Sequence, residues 1–427
     1  MNNYYTHLVW VTDQALLCLA VFAGLFTIFY SLAKEYFWKR RSRALLSIKK
    51  NIYELAISGG KTDNKVCLPA VSEITPQQFL DVATNRNREV AFFNESEQKI
   101  LKGCFILAEK LAEIEKIARF SWKKWQRVEA ILTLGYAQAE SSLNTLKETI
   151  NDQDLDISYF SIIALGQVKN VPSARILLDF IRKSSFYRYR IFSLLEFFPA
   201  ETADEVISLV DSPDPGIRSW AIKLICRLKA LQYSEKIREL ALDKTAQVRA
   251  VACDCLGEFG EKDSQVVIAK CLNDDSWMVR VSAVKALFKV AGKDGLAAIM
   301  ERINDGSLSV IESIKEMMAA NIEICLPYVI EFLYGDDEMA RRVSVEVLEA
   351  SGYILKLFRN LLTGNEKEIE IAGYLLKGLI VSRAFAGLEA SLLSLAKGEQ
   401  GRVLAIIKNI DEETAAILEN SAADHQG

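Results

Sequence analysis

Histidine occurs twice in the chain, at His7 and His425. A Ser-His-Asp triad, a Cys-His dyad or a His-ligated metal needs a histidine inside a folded core. Neither position suits that. The eight cysteines are Cys18, Cys67, Cys104, Cys226, Cys253, Cys255, Cys271 and Cys325. Their spacing is irregular and no C-x-x-C occurs. Cys253-x-Cys255 is the one close pair. Residues two apart on a helix diverge, which favours neither a disulfide nor a chelate. Such thiols fit small buried apolar groups in a reducing compartment. No Walker loop, G-x-S-x-G, G-x-G-x-x-G or H-E-x-x-H is present. Carboxylates are many, but on helical surfaces their usual role is solvation. The expectation is a non-enzyme with no catalytic, cofactor or metal site.

The elements explain what the charged residues are for. In 427 residues, half are apolar and a quarter charged, which rules out disorder as the dominant state. Seven Pro and 21 Gly argue against a turn-rich all-β chain. Aligned on itself, the chain repeats every 30–31 residues. The clearest copies are AILTLG at Ala130–Gly135, SIIALG at Ser161–Gly166, IFSLLE at Ile191–Glu196, AIKLIC at Ala221–Cys226, ACDCLG at Ala252–Gly257 and AVKALF at Ala283–Phe288. Fainter copies lie at Ile314–Ala319, Ser344–Glu349 and Tyr374–Leu379, with a tenth near Leu404–Asn409. A steady period of this length is the signature of a solenoid.

Each position in the repeat has a physical reading. Five residues before the end marker stands a small residue in Ala130, Ser161, Ala221, Ala252, Ala283 and Ser344, which lets two helices approach closely. Eight before it stands arginine: Arg127, Arg188, Arg218, Arg249, Arg280 and Arg341. Turn acids precede these, at Asp211, Asp214, Asp243, Asp274, Asp275, Asp336 and Asp337. They are placed to cap helix N-termini and to pair with arginines of their own or the next repeat. First helices are expected at Ser234–Leu242, Ser264–Leu272, Leu296–Ile303 and Leu326–Leu333. The repeat is a helix, a turn with Asp, a helix with Arg, and a turn often containing Gly.

LALDKTAQVRAVACDCLGEFG (Leu240–Gly260) and CLNDDSWMVRVSAVKALFKVAG (Cys271–Gly292) carry this pattern most fully. It resembles HEAT repeats, especially the short bacterial kind associated with bilin lyases, over residues 122–410. Ser158 and Ile311 replace the arginine in two copies. The resemblance implies an all-α solenoid of nine or ten two-helix repeats. It implies second helices lining a concave face and a structural Asp–Arg ladder. It says little about function, since such arrays host many tasks.

Charged residues three before each marker interrupt apolar columns and so face solvent: Lys223, Asp254, Lys285, Glu316 and Glu346. Their mixed signs fit a protein partner better than a nucleic acid. Tyr189 and Arg190, in the run FYRYRIF, and Trp220 are types that dominate interface energies. These eight are the partner-binding candidates.

The N-terminus reads differently. Residues 1–14 form a short extracytoplasmic end. Ala15–Ala33 holds no charge and nearly spans a bilayer core of about 30 Å. Aromatic residues bracket it: Tyr4, Tyr5 and Trp10 before, Tyr36, Phe37 and Trp38 after. No Lys or Arg precedes it, whereas Lys34, Lys39, Arg40, Arg41, Arg43, Lys49 and Lys50 follow. Basic flanks stay in the cytoplasm, so the expectation is a single-pass inner-membrane anchor with the body inside. A cleaved signal peptide would carry its basic block on the other side. Residues 34–57 are then a basic juxtamembrane segment, 58–95 a linker with a short helix after Thr75-Pro76, 96–120 a capping helix, 121–417 the solenoid and 418–427 a disordered tail. The whole chain carries −4, and residues 51–427 carry −9. An acidic body is a poor partner for phosphate backbones.

The expected function is a membrane-anchored scaffold or regulator, with protein partners and no cofactor. A bilin-lyase-like handler of a chromophore or other ligand is the alternative that the resemblance implies. Bound small molecules, nucleic acid and an exported soluble form rank behind.

Overall fold

A computed structural model describes residues 30–32, 34–36, 39–40, 42–50, 74–84 and 110–424, with side chains to 420. The described residues are helical throughout, without strands. Most of the expected membrane span, 15–29 and 33, lies outside them, as do Cys18, Cys67 and Cys104. No helix among the described residues is long and apolar enough to cross a membrane.

Two compact units divide the chain, Met1–Glu205 and Val206–Gly427. The N-terminal unit holds second helices Lys124–Ala137, Leu155–Val168 and Arg188–Leu195. The C-terminal unit holds Pro215–Arg227, Ala246–Phe259, Trp277–Ala291, Leu308–Ala320, Glu338–Ala350, Glu366–Val381 and Lys397–Ile410. Each of the ten repeat markers falls in the last turns of one of these helices or at its C-cap. First helices are shorter where a 3-10 turn starts them: Ser234–Leu240 follows Leu231–Tyr233, and Gln265–Cys271 follows Lys262–Ser264. They lengthen towards the C-terminus, as in Ile322–Tyr334 and Tyr353–Thr363.

The core follows from the apolar columns. Leu134, Leu165, Leu195, Ile225, Leu256, Leu287, Met318 and Leu348, one before each marker, are fully buried. The small column is buried too, from Ala130 to Ser344. At the marker itself, too, two helices come into close contact. Gly135 and Gly257 lie inside their helices and not in turns. A Cβ on Gly135 would lie 2.5 Å from the Ala164 Cα, and one on Gly257 would lie 2.8 Å from the Ala286 Cα. In both, the partner is on the next second helix, 29 residues on. The glycine is there for contact between neighbouring second helices.

The turns that follow do need a left-handed residue, since a helix ends readily on one. Gly260 and Gly352 supply it, but Gln138, Lys169, Lys229 and Arg383 take the same conformation without being glycine. A left-handed non-glycine residue costs on the order of 1 kcal/mol. Arg383→Gly is expected to stabilise the C-terminal repeats by up to about that amount, read as a rise in melting temperature.

Two segments are packed where a loose linker and a disordered tail are expected. The short helix expected after Thr75-Pro76 is Pro76–Ala83, closed by a Thr75–Gln78 capping box, and it packs on Lys124–Ala137. Phe79, Leu80 and Val82 are buried, and the Lys110 Nζ donates to the Ile74 carbonyl at 3.0 Å. That stretch is docked because three apolar side chains share one short amphipathic face. At the other end, Glu412–Asp424 is helical, so the chain is not a disordered tail from 418. Ala415 and Leu418 are buried, and the helix packs against Lys397–Ile410. Of the expected capping helix, Leu111–Phe120 is described and buries Leu111, Ile114 and Ala118.

Candidate partner-binding grooves

The Arg column forms a ladder. The Arg218 guanidinium donates to Asp243 through Nε at 3.0 Å and Nη2 at 2.8 Å. Arg249 grips Asp274 at 2.6 and 2.7 Å, and Arg280 grips Asp305 at 2.7 and 2.6 Å. Arg127 meets Asp152 at 2.5 Å. Each acid lies 25 residues after its arginine, in the turn of the next repeat. The other face of the guanidinium satisfies its own turn: Arg218, Arg249 and Arg280 donate to the carbonyls of Ser212, Asp243 and Asp274. Arg341 does the same to Gly335. Arg188 donates to the Ser184 carbonyl.

The ladder acids also accept from the backbone two residues on: Asp243 from Thr245, Asp274 from Ser276 and Asp305 from Ser307. Burial pushes all three carboxyls up, but the arginines and these backbone N–H groups outweigh it. Their net pKa is below the ordinary carboxylate value. Asp152 and Asp305 were not among the acids singled out from sequence, although the 25-residue interval from Arg127 and Arg280 marks them. Asp214 and Asp337 are helix caps, accepting from Gly216 and from Met339 and Ala340.

With arginine spent on the turns, the ridge residues are left to face outward. Lys223 and Asp254 line a groove of about 730 Å³ between Pro215–Arg227 and Ala246–Phe259. Lys285, Glu316 and Glu346 line a second of about 560 Å³. All five lie in the C-terminal unit. Lys223 stands over the Trp220 ring, 4.9 Å from its centroid, which joins two candidates in one cation–π contact. Asp254 is exposed and lines the groove, and desolvation by the groove walls raises its pKa. Ser282 and the lysines 285, 289 and 223 oppose that rise. Glu346 is engaged by Lys315 at 3.0 Å and Arg342 at 2.9 Å. It is therefore a structural part of the ridge as well as a charge on it. Tyr189 and Arg190 are exposed, but on the N-terminal unit.

The close cysteine pair separates as its spacing requires. Cys255 meets Cys226 and Cys253 meets Cys271, each through a thiol hydrogen bond. Those bonds, then burial, push the Cys253 and Cys255 thiols far up. They stay protonated and poorly nucleophilic. Among the described residues no His, Cys, Asp or Glu group is arranged to hold a metal ion.

Fold and grooves together define an all-helical repeat protein of the α-solenoid class. Residues 234–319 match the family model of HEAT repeats. This segment includes the Arg249–Asp274 and Arg280–Asp305 pairs, where the ladder is most complete. No curated protein matches the chain. An engineered protein of solved structure is 11% identical, covering 75% of this chain and 99% of its own, with TM-score 0.35. The complex of CpcE and CpcF of phycocyanin lyase from Nostoc sp. PCC7120 is 14% identical, covering 63% and 94%, with TM-score 0.29. YibA of E. coli is 17% identical, covering 65% and 92%, with TM-score 0.28. Likeness at these scores carries no functional argument.

Proposed function

We propose that the chain is a non-catalytic scaffold, tethered to the inner membrane by residues 15–33, that binds a protein partner along its second-helix ridge in the cytoplasm. The observation that supports it most is the placement of Lys223, Asp254, Lys285, Glu316 and Glu346 on two neighbouring grooves of one unit. Repeat arrays use such extended surfaces for protein partners. Mixed charge along the grooves selects a partner with the complementary pattern. The seven basic residues between Lys34 and Lys50 support the orientation.

The test is cross-linking of the full-length protein in cells, detergent purification and mass spectrometry, beside the variant K223E/K285E. A defined membrane-associated partner that the variant loses is the expected result. Charge reversals at desolvated interface pairs cost about 2–5 kcal/mol, enough to lose most of the complex. An unchanged complex in the variant overturns the ridge as the binding face. Visible absorbance from a co-purified pigment would instead favour ligand handling.

A further inference from the structure

The N-terminal unit has a second surface that the ridge does not use. Two segments there interleave aromatic and basic residues and contain no acid: Arg119–Trp125 (RFSWKKW) and Arg182–Arg190 (RKSSFYRYR). Their apolar groups are open to solvent: Trp122 is 88% exposed, Phe120 74%, Tyr189 73%, Trp125 63% and Phe186 60%. Burying a core ring is the ordinary fate of an aromatic residue, and these are not buried.

A continuous path of rings joins the two segments. Trp125 meets Phe160 at 6.5 Å, Phe160 meets Tyr159 at 5.5 Å, Tyr159 meets Tyr187 at 5.4 Å and Tyr187 meets Phe186 at 6.4 Å between centroids. The segments therefore lie along one edge. The acidic turn between them is already engaged. Asp152 holds Arg127, while Asp154 and Asp156 hold Lys124. Lys123, Lys183 and Arg190 remain exposed beside the rings.

We infer that this edge rests on an anionic lipid bilayer. Trp and Tyr favour the headgroup level, and the exposed Lys123, Lys183 and Arg190 add attraction to anionic lipid, whereas Arg119, Lys124 and Arg182 are held by Glu148, by Asp154 and Asp156, and by Asp179. Leu155, 53% exposed at the start of its helix, adds an aliphatic group that a bilayer buries and a stacked base does not. The inference rests on the membrane association proposed above only in that the tether holds the edge within reach of lipid.

The test uses the full-length chain in vesicles of phosphatidylcholine, with or without phosphatidylglycerol, carrying brominated acyl chains. Quenching lost on W122F/W125F reports the depth of those two rings, and both substitutions keep an aromatic group. The expected result is several-fold stronger quenching of these rings in the phosphatidylglycerol vesicles, removed by K123E/K183E/R190E. Flotation with phosphatidylcholine vesicles reads the tether separately. Flotation without quenching overturns the edge and leaves the tether standing. Quenching with phosphatidylglycerol but no flotation with phosphatidylcholine keeps the edge and removes the tether. Quenching of the two rings by a single-stranded oligonucleotide, and not by vesicles, overturns the inference in favour of nucleic acid.

Discussion

Arg218→Met is expected to destabilise the repeats around it by about 3–5 kcal/mol, because it strands a buried carboxylate. Arg218 is 4% exposed and the side chain of its ladder partner Asp243 12%, so the carboxylate is largely shielded from water. The substitution also leaves the carbonyls of Ser212 and Pro213 without their donor. Methionine matches the lost volume, so the loss reports charge and hydrogen bonding and not a cavity. R218M/D243N should recover part of it, since the stranded charge is gone while the amide oxygen can still accept from Thr245. In a repeat array the damage stays local. Hydrogen exchange over residues 215–259 is therefore the better readout than a single melting point. A loss below about 1 kcal/mol, the range of an exposed pair, would mean the ladder is ornamental.

The same ladder sets the response to acid. The carboxyls of Asp243, Asp274 and Asp305 have folded pKa values below their unfolded ones. Their contribution is present in full above the unfolded value near 4 and is lost as pH falls through the folded values. Asp254 and Glu349 run the other way, since burial raises both. Between the ordinary and raised values they favour the folded state as pH falls. Stability of the wild type should therefore hold to about pH 4 and drop below it. In R218M the drop below pH 4 should be smaller, because Asp243 has lost the group that kept its folded value below the unfolded one.

How much of this was legible in the residues depends on whether the signal repeats. The second helices, the arginine column and the outward ridge each recur every 30–31 residues, and each lies where that period puts it. Asp152 and Asp305 obey the same arithmetic. They are found by stepping 25 residues from an arginine, not by searching for acids ahead of one. What stayed hidden does not recur. Pro76–Ala83 is one short helix whose docking depends on a groove that no local pattern displays. Thr414, Ala415 and Leu418 are all that the last helix buries among its described residues, too few to show a period. The ring path from Trp125 to Phe186 joins residues that occupy unlike positions in their repeats, so alignment of the copies does not gather them. The role of the grooves is less legible still, because a charged side chain on a ridge looks alike whether or not a partner covers it.

Gly135→Ala makes the sharpest contrast between local and tertiary reasoning. Alanine is the better helix former by about 1 kcal/mol, so propensity alone expects a more stable helix Lys124–Ala137. Packing expects the reverse. The new Cβ would lie 2.5 Å from the Ala164 Cα and 2.7 Å from its carbonyl oxygen. Backbone atoms cannot rotate aside, so the two second helices must separate and loosen the core behind them, including Ile131, Leu134 and Leu165. A net loss of about 3 kcal/mol is expected, at the upper end for overpacking. Gly257→Ala should cost somewhat less, since its Cβ would meet Ala286 at 2.8 Å from the Cα and 2.9 Å from the Cβ. Gly166→Ala should cost least, because its nearest neighbour is the Leu194 Cδ1 at 2.9 Å, the end of a side chain that can turn away. Chemical denaturation of the three variants in parallel gives the order. Equal effects, or a gain at Gly135, would mean that the helices slide apart at little cost, and that the glycines are not what fixes the spacing of the repeats.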